Sequence, residues 1–227
     1  MSFSKSLLRW YDCQNIKFPW RNISNPYYTW ISEIMLQQTQ VKTVIPYFKK
    51  WIKNFPSIES VARANDDEIF KNWEGLGYYK RALNLREACI EIINNEGILY
   101  SSSNKLIELK GIGEYTAAAI ASIAFNEVIP AIDGNVKRIM SRLLCINQTK
   151  AKSIIQIKKN LNQNISKSRP GDFNQAMMDL GRTICTPKSP NCIKCPIKSI
   201  CKAYIKNKVE YYPIKNRKTK KIPHYNI

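Results

Sequence analysis

Between Asp12 and Glu59 the chain carries a single acidic residue, Glu33, in the stretch WISEIMLQQTQV. A carboxylate set among Ile31, Ile34, Met35 and Leu36 is a poor solubilising group and a good candidate for an acid whose proton is held by desolvation. A second isolated acid, Asp133, is the only one between Glu127 and Asp172, in AIDGNVKRIMSR. On its own it reads as the N-cap of the helix that GNVKRIM would form. Two isolated carboxylates on one basic chain read together as a catalytic pair, one to donate a proton and one to stay ionised. A third chemical grouping lies further on, where Cys185, Cys192, Cys195 and Cys201 form a C-x6-C-x2-C-x5-C pattern on a loop punctuated by Pro187, Pro190 and Pro196. So short a loop cannot build a core, so four convergent thiolates read as ligands that fold it around a metal centre. With only one C-x2-C pair, a 4Fe-4S cluster is favoured over structural zinc, which is the alternative; disulfides are the weaker reading in a reducing compartment. The other cysteines, Cys13, Cys89 and Cys145, read as free thiols.

The elements that must hold these residues read as helices. Apolar residues recur at spacings of three and four over Ser4–Gln14, Tyr27–Asn54, Ile58–Ala64, Asp66–Glu74, Tyr79–Asn94, Ser103–Leu109, Glu114–Phe125, Val136–Leu144, Lys150–Gln163 and Gly171–Ile184. Gly, Pro and Asn/Ser breaks separate them, and no alternating strand pattern of useful length occurs. The expected fold class is therefore all-α. Gly111-Ile112-Gly113 joins two of these helices, where glycine tolerates positive φ and the following helix offers free amides to a phosphate oxygen. This is a helix-hairpin-helix signature, although any tight turn between packed helices can use G-x-G.

Composition bounds the partner. With 227 residues and 44% hydrophobic content the chain can fill one good core or two small ones. Its formal charge of +19 points to a polyanion, and nucleic acid ranks ahead of membrane because no basic amphipathic helix stands out. The N-terminus has no continuous apolar signal region, and TAAAIASIAF is too short to span a bilayer, so a cytoplasmic, nucleoid-associated protein is expected. The tail YYPIKNRKTKKIPHYNI reads as a basic arm or linker.

Taken together, PWR, SEIMLQQTQV, GLGYYKRALNL, GIGEYTAAAI, DGNVKR, FNQAMMDLG and the four-cysteine loop resemble the adenine DNA glycosylase (MutY) family of the endonuclease III superfamily, from about Arg9 to Pro213. The resemblance implies a two-lobed helix-hairpin-helix DNA glycosylase fold: a six-helix barrel over 22–128, an iron-sulfur lobe of 1–21 with 129–210, and a basic tail or linker over 211–227. It implies a monofunctional enzyme of base excision repair, expected to be a monomer, that removes adenine mispaired with 8-oxoguanine or guanine in double-stranded DNA. The C-terminal domain of full-length members, which helps recognise 8-oxoguanine, lies past the point where this chain stops. By the same resemblance Glu33 is the general acid, with burial raising its pKa toward about 6–7 against nearby lysines, and Asp133 stabilises the oxocarbenium-like sugar. Tyr115 stands where lyase-branch members carry a Schiff-base lysine, so strong strand cleavage is not expected, and Tyr115 and Asn135 are expected to hydrogen-bond around Asp133. Gln38, Thr39, Leu76 and Tyr78 match positions that fill the gap left by the flipped base; Trp20 and Arg21 match the adenine pocket wall. Gly111 and Gly113 hold a phosphate, and Lys188 and Lys194 on the cysteine loop grip others, so about five neutralised phosphates give a log–log salt slope of roughly −4 to −5. Two alternatives stand beside this reading: a thymine mismatch glycosylase of the same superfamily, and a non-catalytic DNA-binding protein.

Overall fold

The computed structural model describes residues 2–21, 23 and 25–214; the expected basic arm lies outside these from residue 215 onward. Among the described residues twelve α-helices follow one another: α1 (Phe3–Gln14), α2 (Pro26–Leu36), α3 (Val41–Asn54), α4 (Ile58–Arg63), α5 (Asp66–Trp73), α6 (Lys80–Asn94), α7 (Ser103–Leu106), α8 (Glu114–Phe125), α9 (Gly134–Leu144), α10 (Ala151–Asn164), α11 (Pro170–Thr183) and α12 (Lys202–Ile205). No strand occurs among the described residues, so the fold is all-α, and no helix among them is long and apolar enough to cross a membrane.

The helix starts follow from local chemistry. Asn25 accepts from the Tyr27 amide ahead of Pro26, whose fixed φ suits the first helical position. Reciprocal capping boxes, Ser57 with Ser60 and Asn65 with Glu68, open α4 and α5 and satisfy amides that the helices leave free. Asp133 accepts from the Val136 amide and so caps α9, as its sequence context suggests.

The expected single helix over Tyr27–Asn54 is two helices. Its apolar spacing runs through Leu36–Val41 without a glycine or proline, yet the chain turns there with Gln38 at φ 58. The carbonyls of Ile34, Met35 and Gln37 accept instead from Arg81 on α6, which replaces the amide donors of a continued helix. The helix expected over Ser103–Leu109 is likewise shorter, ending at Leu106 before the hairpin turn.

Two apolar clusters organise the helices. The first gathers α2 to α8 around Trp30, Trp51 and Trp73, all fully buried. The second packs α1, α9, α10 and α11 around Leu7, Phe173 and Leu180. Buried side chains of this size each stabilise by roughly 1.5–3 kcal/mol, so truncating one tryptophan should cost about 3–5 kcal/mol. The clusters meet where α11 crosses α8. A side chain at Gly171 would meet the Ile123 Cα and Ser122 carbonyl at 2.7 Å, and Asn174 donates to Ser122 Oγ at 2.8 Å and to the Ile129 carbonyl at 2.9 Å. This crossing fixes α2 and α8 against α9 and α11, and a cavity opens between them.

Candidate active site

That cavity measures about 470 Å³ and is lined by Glu33, Tyr115, Asp133 and Asn135 together with Trp20 and Arg21. Glu33 reaches it because α2 is buried on nearly every face, so a residue at its centre must meet either core or cavity. Thr29 and Leu36, four before and three after Glu33, line the same wall. Glu33 is only 6% exposed. Burial pushes its carboxyl up to about 7 and Asp133 adds to this, while the Tyr115 hydroxyl and the Arg21 guanidinium pull it down. The opposing groups are thus a phenol and an arginine, not the lysines expected from the basic sequence.

Tyr115, near the start of α8, donates to Glu33 Oε2 at 2.7 Å. The expectation that it would bond Asp133 is corrected: the hairpin turn aims it at α2. Asn135 does bond Asp133, donating from Nδ2 to Oδ2 at 2.7 Å, while Oδ1 takes the Val136 amide at 2.7 Å. Asn135 is itself held, because Arg138 donates to its Oδ1 at 2.8 Å and to the carbonyls of Gly181 and Cys185 at 2.8 and 2.9 Å. Asp133 is therefore a half-buried carboxylate with two donors and a fixed orientation. Beside it stands Glu33, a carboxyl that burial raises to about 7.

Sequence reasoning missed part of this wall. Asp179 on α11 pairs with Arg21 at 2.6 Å and with Arg182 at 3.1 Å, and Phe18, Gln175 and Met178 are among the other lining residues. The signal was present: Asp179 sits in AMMDLG, as isolated among apolar residues as Glu33 is. Trp20 is both core and wall, buried against Phe18 and Phe48.

The remaining candidates lie around the mouth or away from it. Gln38 and Tyr78 stand on turns at positive φ, 58 and 51, and Tyr78 is 62% exposed. Thr39 lines the cavity, whereas Leu76 is buried in the first core and does not stand out beside Tyr78. Gly111 takes φ +84 where a side chain would strike Asn84 at 2.8 Å, and nothing lies within 4 Å of the Gly113 Cβ direction, which leaves the amide end of α8 accessible. Lys188 and Lys194 are exposed.

Cys185 follows α11, Cys192 opens a 3-10 turn that Cys195 follows, and Cys201 immediately precedes α12; all four line one small recess with Arg142, Ile184, Tyr204 and Val209. None of the four is joined in a disulfide. Arg142, almost fully buried, donates to Cys185 Sγ at 3.2 Å and to the Thr186 and Tyr212 carbonyls, which anchors the loop to α9. Among the described residues no three ligand side chains are gathered as for one ion.

Residues 31–167 match the family described as HhH-GPD superfamily base excision DNA repair protein. An adenine DNA glycosylase of Mus musculus is 40% identical over 89% of this chain and 42% of its own length. One from Buchnera aphidicola subsp. Acyrthosiphon pisum is 44% identical over 95% of this chain and 63% of its own. The chain thus spans between two fifths and two thirds of these relatives. A solved thermostable thymine-DNA glycosylase superposes with a TM-score of 0.82 at 26% identity, covering 90% of this chain and 95% of that one. A trapped endonuclease III–DNA covalent intermediate superposes at 0.75 with 21% identity, covering 90% and 94%, a likeness of fold.

Proposed function

The chain belongs to the HhH-GPD superfamily of base excision DNA repair proteins, and on that premise we propose that it is a monofunctional adenine-specific DNA N-glycosylase. The observation that carries the reading is the pairing of Glu33, buried and raised to about 7, with an oriented Asp133 in one cavity. Adenine is a poor leaving group until a ring nitrogen is protonated. In the reading, adenine mispaired with 8-oxoguanine or guanine is flipped from double-stranded DNA into the cavity, where Trp20 and Arg21 form its wall. Glu33 donates its proton to N7, the C1′–N9 bond breaks with its electron pair passing to the base, and Asp133 faces the cationic sugar. Water adds to C1′ and returns its proton to the Glu33 carboxylate. The products are adenine and an abasic site, with Glu33 restored. Tyr115 offers a phenol where a lyase needs an amine, which supports hydrolysis without strong strand cleavage.

Gln38, Thr39 and Tyr78, with Leu76 behind them, fill the gap in the helix; Gly111, Gly113, Lys188 and Lys194 hold phosphates. The chain acts as a monomer on nucleoid DNA. Cys185, Cys192, Cys195 and Cys201 hold a 4Fe-4S cluster, whose contribution is to fold the loop that carries the lysines. Four unbridged thiols around one recess fit such a group. Zinc held by the same four thiols is the alternative.

The thymine mismatch reading keeps support from the fold likeness to a thymine-DNA glycosylase, but a buried proton donor suits a purine nitrogen. The experiment is single-turnover excision on duplexes with A opposite 8-oxoguanine, G or T, and T opposite G, developed with alkali. Release of adenine alone, with breaks only after alkali and no release by Glu33→Gln or Asp133→Asn, is the expected result. Release of thymine, or full activity without Glu33, overturns it.

A further inference from the structure

We propose that Arg81 is a positioning residue that joins the two DNA-probing turns into one rigid wedge, an inference that rests on the excision reading above. The Gln37–Thr39 turn and the Leu76–Tyr78 turn lie far apart in sequence, yet one guanidinium holds both. Arg81 Nη1 donates to the carbonyls of Gln37 at 2.6 Å, Ile34 at 2.9 Å and Met35 at 3.3 Å. Its Nη2 donates to Gly77 at 3.2 Å and Leu76 at 3.3 Å. The guanidinium also lies against the rings of Trp73 and Tyr78, 5.5 and 5.4 Å from their centroids.

What these bonds hold is a strained arrangement. Gln38 and Tyr78 both occupy the left-handed region, which is strained for a non-glycine residue and persists only where the surroundings impose it. Each is adjacent to a carbonyl that Arg81 captures. Between the two tips lies a cleft of about 250 Å³ lined by Gln37, Gln38, Tyr78, Lys80, Arg81 and Asn84. The two terminal nitrogens of a flat guanidinium can meet carbonyls from two directions at once, and lysine lacks that geometry. With both tips locked at a fixed separation, a base leaving the stack meets a preformed plug instead of two loops that must be ordered first.

The test compares Arg81→Lys with wild type in single-turnover excision of adenine opposite 8-oxoguanine and of adenine opposite an abasic-site analogue, where little unstacking work remains. Expected is a loss of about tenfold or more on the paired substrate, a loss within about threefold on the unpaired one, and an unchanged pH profile. Equal losses on both substrates mean a general structural role, and a shifted pH profile means that Arg81 acts through the Glu33 helix; either overturns the proposal, as does wild-type rate on the paired duplex. Because the variant could fail to fold, hydrogen exchange on the wild-type protein supplies a second readout. Amides of 37–39 and 76–78 should open as one unit with a common exchange rate, and independent opening overturns the proposal. No adenine release by wild type from either duplex would sink the excision reading alone, leaving the exchange result to decide the role of Arg81.

Discussion

The Tyr115 hydroxyl donates a 2.7 Å hydrogen bond to Glu33 Oε2, tying the first turn of α8 to the centre of α2 across 82 residues of sequence. A donor of this kind stabilises the ionised carboxylate and so opposes the burial that raises the Glu33 pKa to about 7. The rate of excision should therefore fall by about tenfold per pH unit above 7, where Glu33 loses the proton it must donate. In Tyr115→Phe that restraint is gone, and the alkaline limb should move to higher pH. A limb that stays in place, or moves down, would show that Glu33 is not the acid being titrated.

Glu33 should also cost stability at alkaline pH. Its folded pKa lies above the unfolded value of 4.5, so its favourable contribution is fully present below 4.5 and is lost as pH rises through about 7. The loss amounts to roughly 3 kcal/mol. Glu33→Gln cannot ionise and can still accept from Tyr115, so it should melt several degrees above wild type at pH 8 and close to it at pH 4. Thermal melts at the two pH values decide the matter; equal offsets at both would mean that Glu33 is solvated in the folded protein.

Much of this site was legible in the sequence because isolation of charge is a local property. Glu33 and Asp133 stand out by having no acidic neighbours, and the helix starts at Pro26, Asn65 and Asp133 follow from capping chemistry that acts within a few residues. What escaped depends on partners distant in sequence. The break between α2 and α3 has its carbonyls bonded by Arg81, 44 residues beyond Gln37, and an unbroken apolar period cannot reveal it. The partner of Tyr115 and the Arg21–Asp179 wall depend in the same way on how α8 and α11 cross, which no window of sequence contains.

Asn135 offers a test of orientation apart from charge. Its amide donates to Asp133 Oδ2 and accepts from Arg138, so Asn135→Ala removes one of two donors to the carboxylate and leaves it free to turn. A charge-assisted bond of this kind is worth about 1.5–3 kcal/mol, which predicts a fall in the single-turnover rate of about tenfold to a hundredfold. Binding to an uncleaved duplex should be unaffected, since Asn135 lies in the cavity and not among the residues proposed to hold phosphates. A variant that binds poorly but cuts at the normal rate would place Asn135 in DNA recognition instead.

The cysteine loop makes the last prediction. Cys185, Cys192, Cys195 and Cys201 surround a recess and Arg142 fastens the first of them to α9, yet the loop has few buried apolar residues, with Ile197 and Ala203 among them. On the proposed reading, a segment so poor in core takes its order from the cluster its thiols would hold. The purified protein should be brown, absorb near 400 nm and hold iron and sulfide in equal amounts, and Cys192→Ser or Cys201→Ser should bleach it. Because the loop presents Lys188 and Lys194, bleaching should weaken DNA binding and lower the magnitude of the salt slope by about one for each phosphate the loop no longer neutralises. Intrinsic excision from saturated complexes should change much less, since Glu33 and Asp133 are held by α2 and α9. A colourless preparation with one zinc per chain would replace the cluster by a single ion, and undiminished DNA binding after bleaching would mean that phosphates are held elsewhere on the protein.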